Sequence, residues 1–140
     1  MASVINATSS GITSTADSTG IMKVQSNGVT VSALAWVNFN GTSASPITPR
    51  AAYNVSSVTK NGTGDYTLNF TNALADANYS VSASASVILT GTGGACVVEI
   101  YDASSGGTNP TTSALRIYVH RSAVSAYDVP YVCVNIFGNG

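Results

Sequence analysis

The sequence predicts an all-β chain, an antiparallel β-sandwich of about seven strands, and three observations carry that reading. Short apolar runs alternate with polar residues at a spacing of two. Clusters of Gly, Asn, Asp and Ser punctuate these runs. No segment keeps a helical period, and residues 72–78 have room for one turn at most.

The elements follow in order. Residues 21–26 read as a strand, Asn27-Gly28 as a hairpin turn and residues 29–33 as a second strand. A two-stranded hairpin is marginal alone. Residues 1–33 are therefore expected to be an extended segment that attaches and associates, with a sandwich domain over residues 34–140. In residues 35–40, Trp36 and Phe39 lie three apart and so face opposite ways. Either one fills the core while the other meets a partner subunit, or both sit in one thick core. Residues 53–60 and 65–71 flank Asn61-Gly62-Thr63-Gly64, a turn whose residues tolerate positive φ. Tyr66, Leu68 and Phe70 alternate there with Thr67, Asn69 and Thr71. In residues 79–90, Val81, Ala83, Ala85 and Val87 share a face opposite a row of serines. Residues 95–102, 114–121 and 131–137 complete the set. In 114–121, Leu115, Ile117 and Val119 face one way and Arg116, Tyr118 and His120 the other.

Composition narrows the function. Only 8% of the 140 residues are charged, against roughly 25% in an average domain. Hydroxyls and amides must dress the surface, while a 44% hydrophobic fraction is enough to build a core. A net charge of −1 without a Lys/Arg cluster excludes a nucleic-acid surface, which works by counterion release. A modest core under a near-neutral surface favours an obligate oligomer. No stretch approaches the roughly 20 apolar residues of a membrane span. Residues 1–11 lack the pattern of a secretory signal, so synthesis in a cytosol without classical export is expected, with no membrane insertion.

Catalysis needs convergent titratable groups, and few are present. His120 is the sole histidine, and it reads as solvent-facing or at an interface. Glu99 and Asp102 are three apart, which sends them to opposite faces of a regular strand. Asp65 and Asp76 read as turn residues. No nucleophile elbow, phosphate loop or dinucleotide fingerprint occurs. Cys96 and Cys133 read as a reduced, buried pair, with a disulfide open to them if their strands are neighbours. Two cysteines and one histidine give too few ligands for a metal. The expectation is no enzyme, no cofactor and no metal.

One set of blocks is more specific: Ala35-Trp36-Val37-Asn38-Phe39-Asn40-Gly41, then Tyr53-Asn54-Val55-Ser56-Ser57-Val58-Thr59, then Asn61-Gly62-Thr63-Gly64-Asp65-Tyr66-Thr67-Leu68-Asn69-Phe70, then Asp76-Ala77-Asn78-Tyr79-Ser80-Val81. Together they resemble the carboxy-terminal, receptor-binding domain of tail fibres from tailed bacteriophages. The ending Val132-Cys133-Val134-Asn135-Ile136-Phe137-Gly138-Asn139 is similar to that family's ending, and residues 1–8 to the opening of many phage structural proteins. The resemblance spans the chain from about Ala35 onward. It implies a homotrimeric virion protein, held to other virion proteins through residues 1–33, whose tip meets a host surface glycan or protein. It carries over no catalytic residue. A capsid-decorating, head-fibre or baseplate protein without receptor binding is the alternative.

Two loops are long, 41–52 and 103–113, and long loops on a rigid β frame often carry binding residues, although a solvated connection is the plainer reading. If segments from residue 35 onward run alternately up and down, both loops fall at the end away from residues 1–33. Thr42, Ser43, Ser45, Ser104, Ser105, Thr108 and Asn109 are then candidates to bond sugar hydroxyls, with Arg50 and Asp102 adding charge-assisted bonds. Tyr127 is the loop aromatic best suited to stack on a sugar, and the same parity puts it at the opposite end.

Overall fold

A computed structural model describes residues 25–26, 29–30, 32–86, 94–121 and 125–138. Ten strands are formed: β1 Gln25–Ser26, β2 Val29–Thr30, β3 Ala35–Phe39, β4 Ala51–Tyr53, β5 Val55–Gly62, β6 Asp65–Phe70, β7 Ser80–Ala85, β8 Val97–Ile100, β9 Ala114–His120 and β10 Val132–Phe137. The pairing expected around Asn27-Gly28 is present, with Gln25 opposite Thr30 and Ser26 opposite Val29. The remainder of the proposed attachment segment lies outside the described residues. So do Val87 and the Gly91-Thr92-Gly93 part of the following turn.

Two four-stranded antiparallel sheets make the sandwich, in the orders β4-β3-β10-β7 and β5-β6-β9-β8. Their inner faces follow the period-two pattern of the sequence. Val37, Phe39, Val132, Val134 and Ile136 from the first sheet meet Val58, Tyr66, Leu68, Leu115, Ile117 and Val119 from the second, all essentially inaccessible to solvent. Apolar burial of this kind is the main stabilising term. Phe39 settles the Trp36/Phe39 question by taking the core position, edge-on to Tyr66 at 5.1 Å between ring centres. Trp36 points outward and is 36% exposed. On β7, Val81, Ala83 and Ala85 pack toward the core and the serines face solvent, as their alternation predicts. Residues 72–78 form no helix, and one short 3-10 turn spans Ala103–Ser105.

Two expectations are corrected. The first is loop parity. β4, only three residues long, doubles back beside β3, with Tyr53 opposite Trp36. Asn54 then crosses to the second sheet with a φ of 55°, a left-handed conformation that Asn tolerates. Its amide donates to the Leu34 and Asn72 carbonyls, and its Oδ1 accepts from the Asn72 N–H at 2.8 Å. The extra reversal inverts the position of the later loops among the described residues. Residues 41–50, the turn at 61–64 and residues 125–130 share one end, tied by a 2.9 Å bond from Gly41 N–H to the Val129 carbonyl. The 103–113 loop lies at the Leu34 end, where Ser113 accepts from Phe70 N–H and Thr112 from Leu74 N–H.

The second correction concerns the burial of the cysteines alone. Both thiols are free, in line with the reduced reading, but both are partly exposed. Cys96 packs against the core, while Cys133 sits on the outward-facing register of β10, in line with Asn135 and Phe137. Asp65 closes the 61–64 turn, paired with Gly62, and opens β6 opposite Tyr118. Asp76 shapes a turn, accepting from Asn78 N–H at 2.7 Å.

The end bearing the 61–64 turn is held by one carboxylate. Asp128 accepts from Tyr66 Oη at 2.6 Å, Gly64 N–H at 2.9 Å and Lys60 Nζ at 2.6 Å. Lys60 also donates to the Gly41 carbonyl. Gly64 has a φ of 68°, so the turn requires glycine there. At Gly41 a Cβ would come within 2.5 Å of the Tyr66 hydroxyl, so the loop can close on the network only with glycine.

Candidate functional site

The loop residues singled out from sequence divide between opposite ends, and several of their polar groups are engaged by neighbouring residues. In the 41–50 loop, Thr42 donates its N–H and hydroxyl to Asn40 Oδ1 at 3.2 and 2.9 Å. Ser43 N–H donates to the Asn40 carbonyl, and the Ser45 hydroxyl accepts from Lys60 N–H. Arg50 donates to Asn38 Oδ1 and lies 4.2 Å over the Tyr131 ring. In the other loop, Asp102 caps the 3-10 turn, accepting from the Ser104 hydroxyl at 2.6 Å and from Ser105 N–H at 3.1 Å. The Ser104 bond leads in holding the Asp102 carboxyl below its ordinary range. Asn109 accepts from Ala103 N–H, and Thr108 N–H donates to the Tyr101 carbonyl. Tyr127, at the 41–50 end, lies under the Arg121 guanidinium at 4.8 Å.

The outer face of the second sheet brings different residues together. Arg116, Tyr118 and His120 alternate along β9 opposite the fully buried Leu115, Ile117 and Val119. β8 pairs beside them, with Glu99 opposite Tyr118 and Val97 opposite His120. The chain leaves β8 through Tyr101, whose N–H donates to the Arg116 carbonyl. The rings form a continuous series. Tyr101 and Tyr118 are 4.9 Å apart at 34°, and Tyr118 and His120 are 5.7 Å apart and stacked. Arg116 lies 5.0 Å from the Tyr101 ring centre, a cation–π geometry. Glu99, Ile100, Tyr101, Ser105, Tyr118 and His120 line an open hollow of about 260 Å³. Ser105 is the one residue of the sequence-derived set that lines it.

Charge is fixed around the hollow. Arg116 donates Nε and Nη2 to the two oxygens of Asp65 at 2.8 and 2.6 Å, a bidentate fork that sets the guanidinium plane. Burial works to raise the Asp65 carboxyl, but the bonds from Arg116 and Asn61 outweigh it and hold it below the usual range. His120 Nε2 lies 3.1 Å from Glu99 Oε2. Beyond Asp65 the same face carries a ladder of amides and hydroxyls. Asn61 bonds Asp65 and Thr67, and Asn69 bonds the Ser57 and Thr59 hydroxyls at 3.1 and 3.0 Å.

This arrangement presents stacked ring faces, a carboxylate and hydroxyl groups together. It suits a ligand with apolar CH faces and many hydroxyls. Among the described residues no cluster of three or more His, Cys, Asp or Glu could hold a metal ion. The sequence carried part of the signal, since Arg116, Tyr118 and His120 on one face follow from their spacing alone. What it lacked was the β8–β9 register, which sets Glu99 and Tyr101 beside them.

The outer face of the first sheet is the other surface of note. Trp36, Tyr131 and Phe137 are 36, 54 and 42% exposed there.

No family model matches the chain, and no curated protein matches it. Among solved structures it is similar to the phiAB6 tailspike, determined in complex with three-repeated oligosaccharides of Acinetobacter baumannii surface polysaccharide. The identity is 13% and the TM-score 0.48, and the match covers 100% of this chain and 31% of that one. The likeness is too distant to carry an assignment.

Proposed function

We propose that this chain is a virion protein of the tail-fibre type that binds a host-surface saccharide on the outer face of its second sheet. The observation that carries the reading is the Tyr101–Tyr118–His120 ring series, set in a hollow with Glu99 and Ser105 at its wall. Aromatic faces offer large contact area at small entropic cost, with polar tips for orientation. Saccharides present matching CH faces and hydroxyls. The sequence blocks from Ala35 onward, which resemble phage fibre tips, support the virion context.

A glycan array tests the binding. The wild-type chain is expected to retain a subset of bacterial surface saccharides, and Tyr118→Ala to lose them while keeping its fold. Retention of the same saccharides by Tyr118→Ala would refute the site.

A second reading draws on Trp36, Tyr131 and Phe137. An exposed aromatic sheet face is an association surface as well, and a capsid-decorating or baseplate protein would use it for attachment. Antibody-labelled virions in the electron microscope separate the two, since fibre labelling fits the first reading and capsid or baseplate labelling the second. We propose further that the chain is a homotrimer and that residues 1–33 join it to other virion proteins.

A further inference from the structure

The charges around the hollow do not balance. Arg116 is committed to Asp65 through both Nε and Nη2, so that pair contributes little net field. Glu99 stands at the mouth with its side chain 62% exposed. The titratable group facing it is His120, with Nε2 at 3.1 Å, and Tyr118 is its cross-strand neighbour. The remaining lining residues, Ile100, Tyr101 and Ser105, carry no positive charge. Glu99 is therefore the carboxylate that a ligand meets at the mouth.

Resting on the reading of this hollow as a saccharide site, we infer that it selects neutral or amine-bearing sugars over carboxylate-bearing ones, and that Glu99 is the specificity-determining residue. An ionised carboxylate only accepts hydrogen bonds. A neutral sugar offers it hydroxyl donors, and an amino sugar offers an ammonium, which adds charge to the bond. A uronate offers a second acceptor of the same charge. Two unit charges 4 Å apart in water repel by an amount that is about fivefold in affinity. Placing like charges together is a general way to reject a wrong partner. The exposure of Glu99 keeps the effect near this water-screened value.

The test measures affinities of the full chain for three oligosaccharides of equal length: a neutral hexose series, an amine-bearing series and a uronate series. Wild type is expected to prefer the neutral series over the uronate series by about fivefold at low salt, and the amine-bearing series by more, with both gaps narrowing at high salt as exposed charges are screened. Glu99→Gln keeps the shape and removes the charge, and is expected to bring the uronate series level with the neutral one. If wild type binds the uronate series as tightly as the others, or Glu99→Gln leaves the ratio unchanged, the selectivity is overturned. Loss of binding in Tyr118→Ala in that case keeps the hollow as the site. If wild type binds none of the three, or Tyr118→Ala binds them all as wild type does, the site and the selectivity fall together.

Discussion

Replacing Asp128 with Ala removes the acceptor shared by Tyr66 Oη, Gly64 N–H and Lys60 Nζ. The three bonds differ in worth. Tyr66 is fully buried, and its hydroxyl keeps the Gly41 carbonyl at 3.0 Å as an alternative acceptor. Lys60 also keeps Gly41, and the Asp128 side chain is 25% exposed, so screening reduces the ion pair to under about 1 kcal/mol. The Gly64 N–H loses its side-chain partner inside a turn that its left-handed φ already constrains. A hydrogen bond to a charged acceptor contributes about 1.5–3 kcal/mol. The sum expected for Asp128→Ala is about 2–4 kcal/mol of lost stability, and about half that for Asp128→Asn, which keeps one acceptor oxygen. Urea unfolding should show a lower midpoint at unchanged slope. The pH dependence has a definite sign. Burial works to raise the Asp128 carboxyl, but the bonds from Gly64, Lys60 and Tyr66 hold it below its ordinary value. A depressed carboxylate stabilises the fold above the unfolded value of about 3.9, and that stability disappears as pH falls through the folded one. The wild type should therefore lose stability below about pH 4 by more than Asp128→Ala does. A loss under about 0.5 kcal/mol, within the range of ordinary surface substitutions, would refute the network's role.

Other outcomes follow from the same structure. Asp65→Asn should cost about 1 kcal/mol in urea unfolding and weaken saccharide binding, because it unseats Arg116 from its place over Tyr101; unchanged affinity would separate that pair from the site. Sedimentation equilibrium should show a trimer; a stable wild-type monomer at micromolar concentration would contradict the assembly proposed. Purified protein should release no reducing sugar from bacterial surface polysaccharide, and detectable release that Glu99→Gln abolishes would make the hollow an active site.

The strand set was legible because burial follows a period of two. Leu115, Ile117 and Val119, or Tyr66, Leu68 and Phe70, announce their inner faces without any knowledge of neighbours. The placement of the loops and of the ring-lined hollow was not legible, for three physical reasons. β4 is the three residues Ala51–Tyr53, too short to show alternation, yet its reversal places residues 41–50 and 103–113 at opposite ends. Part of the loop polarity is internal: Asp102, Asn109 and Thr42 shape their own turns through short-range bonds. The Tyr101–Tyr118 contact depends on cross-strand register, which sequence spacing within one strand does not encode. The Asp65–Arg116 fork joins residues fifty-one positions apart, a pairing that spacing within one strand does not reveal.

Chemical-shift mapping of the amide spectrum with an array-positive oligosaccharide addresses the saccharide site most directly. Saturating shifts are predicted to centre on Glu99, Tyr101, Ser105, Tyr118 and His120 and to fade toward the first sheet. Shifts centred on Trp36, Tyr131 and Phe137, or on residues 41–50, would contradict the assignment of the second sheet's outer face as the binding surface.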